Sequence, residues 1–254
     1  MRVELVPSAV SDGAAATDQY LSCYIINETI AIDAGSLGFY RTPAAQARIR
    51  NVFVTHSHID HIASLPLFIE NIYNASPDCV TLHASPFVLD ALQSDIFNDR
   101  IWPDFVRLSP PSAPLMKFSP LFPGEPVSVG GLNLTPIEVD HVVPTLGFLI
   151  EEHDKAVLIP SDTGPTEAIW QRAGKTANLK AVFLEAAFPN HMHALAERAK
   201  HLTPATFAVE MGKLKHSVPF IAVHIKPRFR EQIIQELAEL QNVQIGELGR
   251  VYEF

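Results

Sequence analysis

Residues 55 to 61 read THSHIDH, so four side chains able to bind a transition metal, His56, His58, Asp60 and His61, fall within seven positions. They follow the apolar run NVFV directly. Imidazole nitrogen and carboxylate oxygen are good ligands for such ions, and crowding four of them together without one gains a fold nothing. The plain alternative is a polar turn that happens to be rich in histidine. What separates the two readings is whether the rest of the chain supplies further ligands, and the ends of other apolar runs do so. LTPIEV is followed by Asp140 and His141, AVLIPS by Asp162, and PFIAV by His224. In open α/β sheets, ligands gather beyond the carboxyl ends of strands, where loops from separate strands converge.

Seven ligands are one too few for two separate four-coordinate ions, but they suffice if one carboxylate bridges. The economical assignment gives His56, His58 and His141 to one ion, Asp60, His61 and His224 to the other, and Asp162 to both. Two divalent ions roughly 3.5–4 Å apart form a clamp that holds a hydroxide between them and grips a phosphoryl oxygen. The His-rich set favours Zn²⁺, with Mn²⁺ or Fe also compatible.

Beyond the ligands, His201 is the strongest catalytic candidate. Thr203 reads as the N-cap of a helix that opens with Pro204. The N–H groups and partial positive charge of that helix end are the expected seat for a phosphate. His201, just upstream, is placed to contact a non-bridging oxygen or to protonate a leaving alkoxide, and the helix end is expected to lower its pKa. Glu185, ending KAVFLE, is expected to orient His201, the alternative being a solvated carboxylate at a strand end. Asp60 is counted with His201 and Glu185 among the catalytic candidates. Asp33 in IAIDAGS and Asp140 read as supports rather than ligands. His191 and His193 read as loop or helix-surface residues, and His83 as structural or exposed. Phe97, Trp102 and Phe105 read as buried aromatics before base-stacking platforms. Lys226 and Arg228 offer a local positive charge to phosphate or are simply solvated.

These residues need elements to position them. Short β-like runs recur along the chain, and helical patterns occupy 64–74, 85–96, 166–173, 204–214 and 228–241. The last places Phe229, Ile233, Leu237 and Leu240 on one face. Early strands read as hairpins and later ones alternate with helices. The fold class is therefore α/β or α+β, with helices over the outer faces of sheets. The proline-rich stretch 103–126 excludes a long helix or central strand and reads as an ordered connection midway through a single domain spanning 1–254.

Composition narrows the partners. At 254 residues, 47% hydrophobic and 19% charged, the chain has the apolar mass for a substantial core. No apolar run approaches the ~20 residues needed to cross a bilayer, so no membrane partner is expected. The first 20 residues do not read as a secretion signal. Cys23 and Cys79 alone make neither a disulfide framework nor a thiolate zinc site, and a cytoplasmic location is expected. A net charge of −9 argues against extended nucleic acid, which needs a basic face. A homodimer is the assembly to expect of a soluble enzyme.

THSHIDH matches the HxHxDH signature of the metallo-β-lactamase superfamily, and His141, Asp162 and His224 follow in the order that superfamily uses. The resemblance implies a four-layered αβ/βα sandwich with a dinuclear site at one edge. The segments NDRIWPDF (98–105), SDTGP (161–165), FLEAAFPN (183–190), HLTP (201–204) and HIKP (224–227) look like those of class II cyclic-nucleotide phosphodiesterases. HxHxDH is specific only to the superfamily, whereas HLTP with HIKP points to this subgroup. The resemblance covers most of the chain. It implies a small phosphodiester substrate, cAMP or cGMP, hydrolysed to the nucleoside 5′-monophosphate, and it supports a catalytic His201. Hydrolysis of esters, lactones or thioesters shares the same signature and is the alternative. Cleavage of tRNA 3′ ends, a related chemistry, comes third, because no Gly/Lys-rich arm is present.

Overall fold

The hairpin closest to the N-terminus shows how local sequence sets the architecture. Asn27 and Glu28 both have positive φ, 46° and 61°, as a tight turn between twisted strands requires. The computed structural model describes residues 1–8 and 18–254. Residues 9–17, part of the N-terminal stretch read above as no secretion signal, lie outside the described residues. In chain order the first seven strands are β1 (Arg2–Leu5), β2 (Tyr24–Ile26), β3 (Ile30–Ile32), β4 (Asn51–Phe53), β5 (Val80–Ala84), β6 (Met116–Pro120) and β7 (Val127–Val129). The rest are β8 (Leu132–Val139), β9 (Thr145–Glu152), β10 (Lys155–Ser161), β11 (Leu179–Glu185), β12 (Phe220–Val223), β13 (Val243–Ile245) and β14 (Val251–Glu253).

The chain divides into two compact units. The first comprises residues 1–8, 21–122 and 249–253. Its sheet has the order β14-β1-β2-β3-β4-β5-β6. The pairings on either side of β1 and between β2 and β3 are antiparallel, and those from β3 to β6 are parallel. The helix Leu65–Ile72 covers it through Leu65, Phe68, Ile69 and Ile72, an i, i+3, i+4, i+7 stripe packed with Val52, Val54 and Leu82. Burying each such side chain stabilises the unit by about 1.5–3 kcal/mol. The expected helix at 85–96 runs as Pro86–Ala91 and then widens into a π turn, Leu92–Ile96. Phe97 and Phe105 are core residues with ring centroids 5.2 Å apart, and Trp102 packs against the same core. The proline-rich stretch holds a short helix, Phe105–Leu108, and then β6 at the end of the sheet, where a strand tolerates proline. The chain leaves this unit between Phe122 and Pro123.

The second unit comprises the described residues 18–20 with 123–248 and 254. Its sheet has the order β13-β12-β11-β10-β9-β8-β7. Strands β7 to β10 form an antiparallel meander, and β10 to β13 are parallel. Helices Ala168–Ala173, Pro204–Gly212 and Arg230–Leu237 pack Ile169, Trp170, Phe207, Ile233 and Leu237 onto the core. The helix His193–Ala199 has no counterpart among the sequence expectations. It buries only Ala196, so there is no apolar stripe to read. Among the described residues, no helix is long and apolar enough to cross a membrane.

Candidate metal centre

In the first unit, β3 and β4 are parallel, so their carboxyl ends share an edge. Asp33 follows β3, and Thr55 to His61 follow β4. Asp33 is buried, with a left-handed backbone at φ 61°. Its carboxylate accepts from the Thr55 backbone N–H at 2.8 Å and the Thr55 hydroxyl at 2.9 Å, and lies 2.7 Å from His61 Nδ1. A carboxylate on Nδ1 fixes the tautomer and turns Nε2 into the ligating nitrogen. Asp33 is thus a support, as its sequence position suggested. Burial pushes its carboxyl pKa up, while the partner His61 pulls it down, and the net shift is upward. His56 Nδ1 lies 3.0 Å from the Thr55 hydroxyl. His58 stands at the N-cap of the short helix Ile59–Ile62, which carries Asp60 and His61. The ring of His56 has centroid distances of 4.7 Å to His58 and 4.1 Å to His61, so the motif's imidazoles form one cluster.

Two supports escaped the sequence reading. Thr55 is the hinge between strand and ligand turn, and the only signal for it was its place directly before His56. Gly35 is the other. A Cβ there would lie 2.1 Å from the Asp60 carbonyl oxygen, so only glycine lets the two segments touch. Hydrogen bonds from Ser22 N to Asp60 O (2.8 Å) and from Ala34 N to His61 O (2.7 Å) complete that clamp.

In the second unit, β8 and β10 both pair antiparallel with β9, while β10, β11 and β12 are parallel. Their carboxyl ends therefore share an edge, and His141, Asp162, Glu185 and His224 stand there. Ser161 and His224 have φ of 64° and 53°, left-handed conformations that non-glycine residues hold only where their surroundings impose them. His141 Nδ1 lies 3.0 Å from the Lys200 carbonyl oxygen and donates to it, which leaves Nε2 as its ligating nitrogen. Asp140 is a more remote support, pairing through Oδ1 with Lys200 Nζ at 2.7 Å. His224 Nε2 lies 3.3 Å from Asp162 Oδ2, and the His224 backbone N–H donates to Gln19 at 2.7 Å.

Glu185 is not a solvated strand end. It is 1% exposed and ties three segments together. It accepts from Thr163 N (3.0 Å), Ala187 N (3.1 Å) and Leu202 N (3.2 Å), and its Oε1 lies 2.6 Å from His201 Nδ1. The His201 ring meets that of His141 edge-on at 5.0 Å and stacks on that of His224 at 5.8 Å. Asp162, Glu185 and His201 offer ligand-type atoms within 4.8 Å of one another, but the last two engage each other.

Two expectations about His201 need correcting. Burial does lower its pKa, but the charge and hydrogen bond of Glu185 outweigh burial, and the net shift is upward. Burial also raises Glu185, against the pull of His201, so the pair holds its proton to higher pH than usual. The phosphate seat at the following helix is closed. Pro204 has no N–H, Ala205 N donates to Asn190 at 2.7 Å, and Thr206 N to the Thr203 hydroxyl at 3.4 Å in a capping box. With the first turn satisfied internally, no donor remains there for an anion. His191 and His193 belong to a short turn and the helix after it, and His191 Nδ1 lies 3.1 Å from Gln232.

The donors are imidazole nitrogens and carboxylate oxygens without thiolate, a set that suits Zn²⁺, Mn²⁺ or Fe. His61 and His141 are already held by Nδ1 with Nε2 to offer, so the residues present fit divalent transition ions.

Comparison with known proteins agrees with this chemistry. The family model described as the beta-lactamase superfamily domain matches residues 29–225. The chain is 28% identical over 224 residues to a probable 3′,5′-cyclic-nucleotide phosphodiesterase of Yersinia pestis, covering 76% of this chain and 62% of that protein. It is 27% identical over 155 residues to a ribonuclease Z of Metallosphaera sedula, covering 58% of this chain and 48% of that one. The chain thus spans less than two thirds of the length of either curated relative. The crystal structure of unliganded yeast PDE1 shares the fold with a TM-score of 0.79 at 17% identity, over 98% of both chains. With the family model matched along most of its length, the chain belongs to the beta-lactamase superfamily and has the α/β fold of its metal-dependent hydrolases.

Proposed function

We propose that the protein is a dinuclear phosphodiesterase that hydrolyses 3′,5′-cyclic nucleotides, cAMP or cGMP, to nucleoside 5′-monophosphates. In this reading His56, His58 and His141 would hold one ion, Asp60, His61 and His224 the other, and Asp162 both, as the sequence assigns them. Zn²⁺ is the favoured metal. When bound, two such ions supply an activated water and neutralise charge on the phosphoryl group. The observation that carries the reading is the His201–Glu185 pair, 2.6 Å apart and stacked against the ring of His224.

Cleaving a phosphodiester expels an alkoxide, which needs a proton. His201 carries that proton on Nε2, because Glu185 occupies Nδ1 and raises the ring's pKa. Glu185 also fixes Thr163 beside Asp162, so one carboxylate sets both the proton donor and the loop of the shared ligand. The names of both curated relatives denote phosphodiester cleavage, which favours this class over esters or lactones. A net charge of −9 favours a small diester over a polyanion, which is gripped through many phosphate contacts.

Metal analysis joined to a substrate panel tests the reading. About two transition-metal ions per chain are expected, with hydrolysis of cAMP or cGMP and of an activated aryl phosphodiester. Precursor tRNA and β-lactams should be poor substrates. If the loaded enzyme leaves every cyclic nucleotide intact yet opens lactones or thioesters, the phosphodiesterase reading is wrong. A single ion in the fully active enzyme would remove the dinuclear assignment.

A further inference from the structure

The closed helix end leaves open which group meets the negative charge of an anionic substrate. Lys226, two residues beyond His224 in HIKP, stands in an unusual position for a lysine. Its Nζ lies 3.1 Å from His224 Nε2. An ammonium only donates, so at this contact Nε2 is the acceptor and turns its lone pair outward. A metal ligand needs the same tautomer and the same lone pair. Asp162 Oδ2 lies 3.3 Å from the same nitrogen, so a cation and a carboxylate both face it.

The two uses of Nε2 exclude each other. Once an ion takes the lone pair, the hydrogen bond from Lys226 ends, and two cations cannot remain at contact distance. The backbone has little room to respond, because Lys226 precedes a proline and caps the turn Pro227–Phe229. The flexible four-carbon stem therefore moves instead. The side chain is only partly buried, which permits that movement. His201, which stacks on His224, also feels the Lys226 charge, so the ammonium lies within electrostatic reach of the proposed proton donor.

We propose that Lys226 is a metal-displaced anion contact. Its ammonium holds His224 in the ligating tautomer, yields Nε2 to the metal, and then pairs with an anionic oxygen of the substrate. The second half rests on the phosphodiester reading above, whereas the competition for His224 does not.

Metal titration by calorimetry, followed by binding of inorganic phosphate to the metal-loaded protein, separates the two halves without any turnover. Lys226→Met removes the competing donor and keeps the apolar stem. Its affinity at the ion site containing His224 should rise about ten- to a hundredfold, the worth of one hydrogen bond to a charged group. Its affinity for phosphate should fall at least about tenfold, and Lys226→Arg, which keeps the charge, should recover most of that loss. Metal affinity that is unchanged or weaker in Lys226→Met overturns the competition. Phosphate affinity that is unchanged overturns the anion contact. If both arms come out as expected but no phosphodiester is cleaved, the proposed substrate falls and the role of Lys226 stands.

Discussion

The two units carry sheets built on one plan, three antiparallel pairings followed by three parallel ones, yet they arm their edges differently. The first unit draws four candidate ligands from one continuous turn after β4. The second draws three from the ends of β8, β10 and β12. Each unit also buries one carboxylate against a histidine Nδ1, Asp33 to His61 at 2.7 Å and Glu185 to His201 at 2.6 Å. Burial raises both carboxyls. The pairs look equivalent, and the sequence sets them apart: His61 lies in the ligand motif and His201 does not. In our reading the same construction thus serves to aim a ligand in one unit and to hold a proton in the other.

Substituting the two histidines gives the largest expected contrast. His201→Ala should keep its metal and fold but lose roughly 10²–10⁴ in turnover, the range for a general acid, whereas His61→Ala should lose metal. Wild-type rates in the His201 variant would erase the difference between the pairs. The carboxylates should then diverge in kind. Asp33→Ala should weaken metal binding about 10–100-fold by releasing His61. Glu185→Gln keeps an acceptor for Thr163 but removes the charge that raises the pKa of His201. A proton donor is lost as pH rises through its pKa, so the alkaline limb of the kcat profile should move to lower pH in Glu185→Gln. Metal loss in that variant comparable to Asp33→Ala would make the pairs alike after all.

The candidate ligand positions stand out in the sequence because a metal site restricts residue type, and because strand-end placement is visible as a polar residue closing an apolar run. Asp162 and His224 are singled out in this way although they lie far from the motif in sequence, and both directly follow a strand, β10 and β12. Strand and helix positions with a strong apolar pattern, such as Leu65–Ile72, were legible for the same kind of reason. What stayed hidden depends on contacts between distant segments. The role of Gly35 follows from how close Asp60 comes, and that of Thr55 from Asp33. The helix end beside His201 read as an open anion site, because nothing in sequence shows that Asn190 caps Ala205. The direction of the His201 shift was missed because local helix electrostatics were visible and Glu185, 16 residues upstream, had no fixed distance.

His83 supplies a control for both pairs. His83 is buried, as His201 is in large part, but its partner is the neutral amide of Asn51, 2.9 Å from Nε2, and its ring stacks on Phe53 at 4.3 Å. Its Nδ1 is buried with no hydrogen-bond partner among the described residues. Protonation would place a charge and a second donor where nothing accepts them, and burial accordingly lowers its pKa to about 4. As pH falls below 6.5, the unfolded chain takes up a proton at this position while the folded chain does not. Stability is therefore lost as pH falls toward 4, by about 2 kcal/mol between pH 7 and pH 5 from this residue. His83→Phe keeps the stacking and removes the titration. Urea unfolding at pH 7 and pH 5 should show a smaller acid loss in the variant than in the wild type. If the two lose equal stability, His83 already binds its proton in the fold, and a buried histidine here does not need a carboxylate to stay charged.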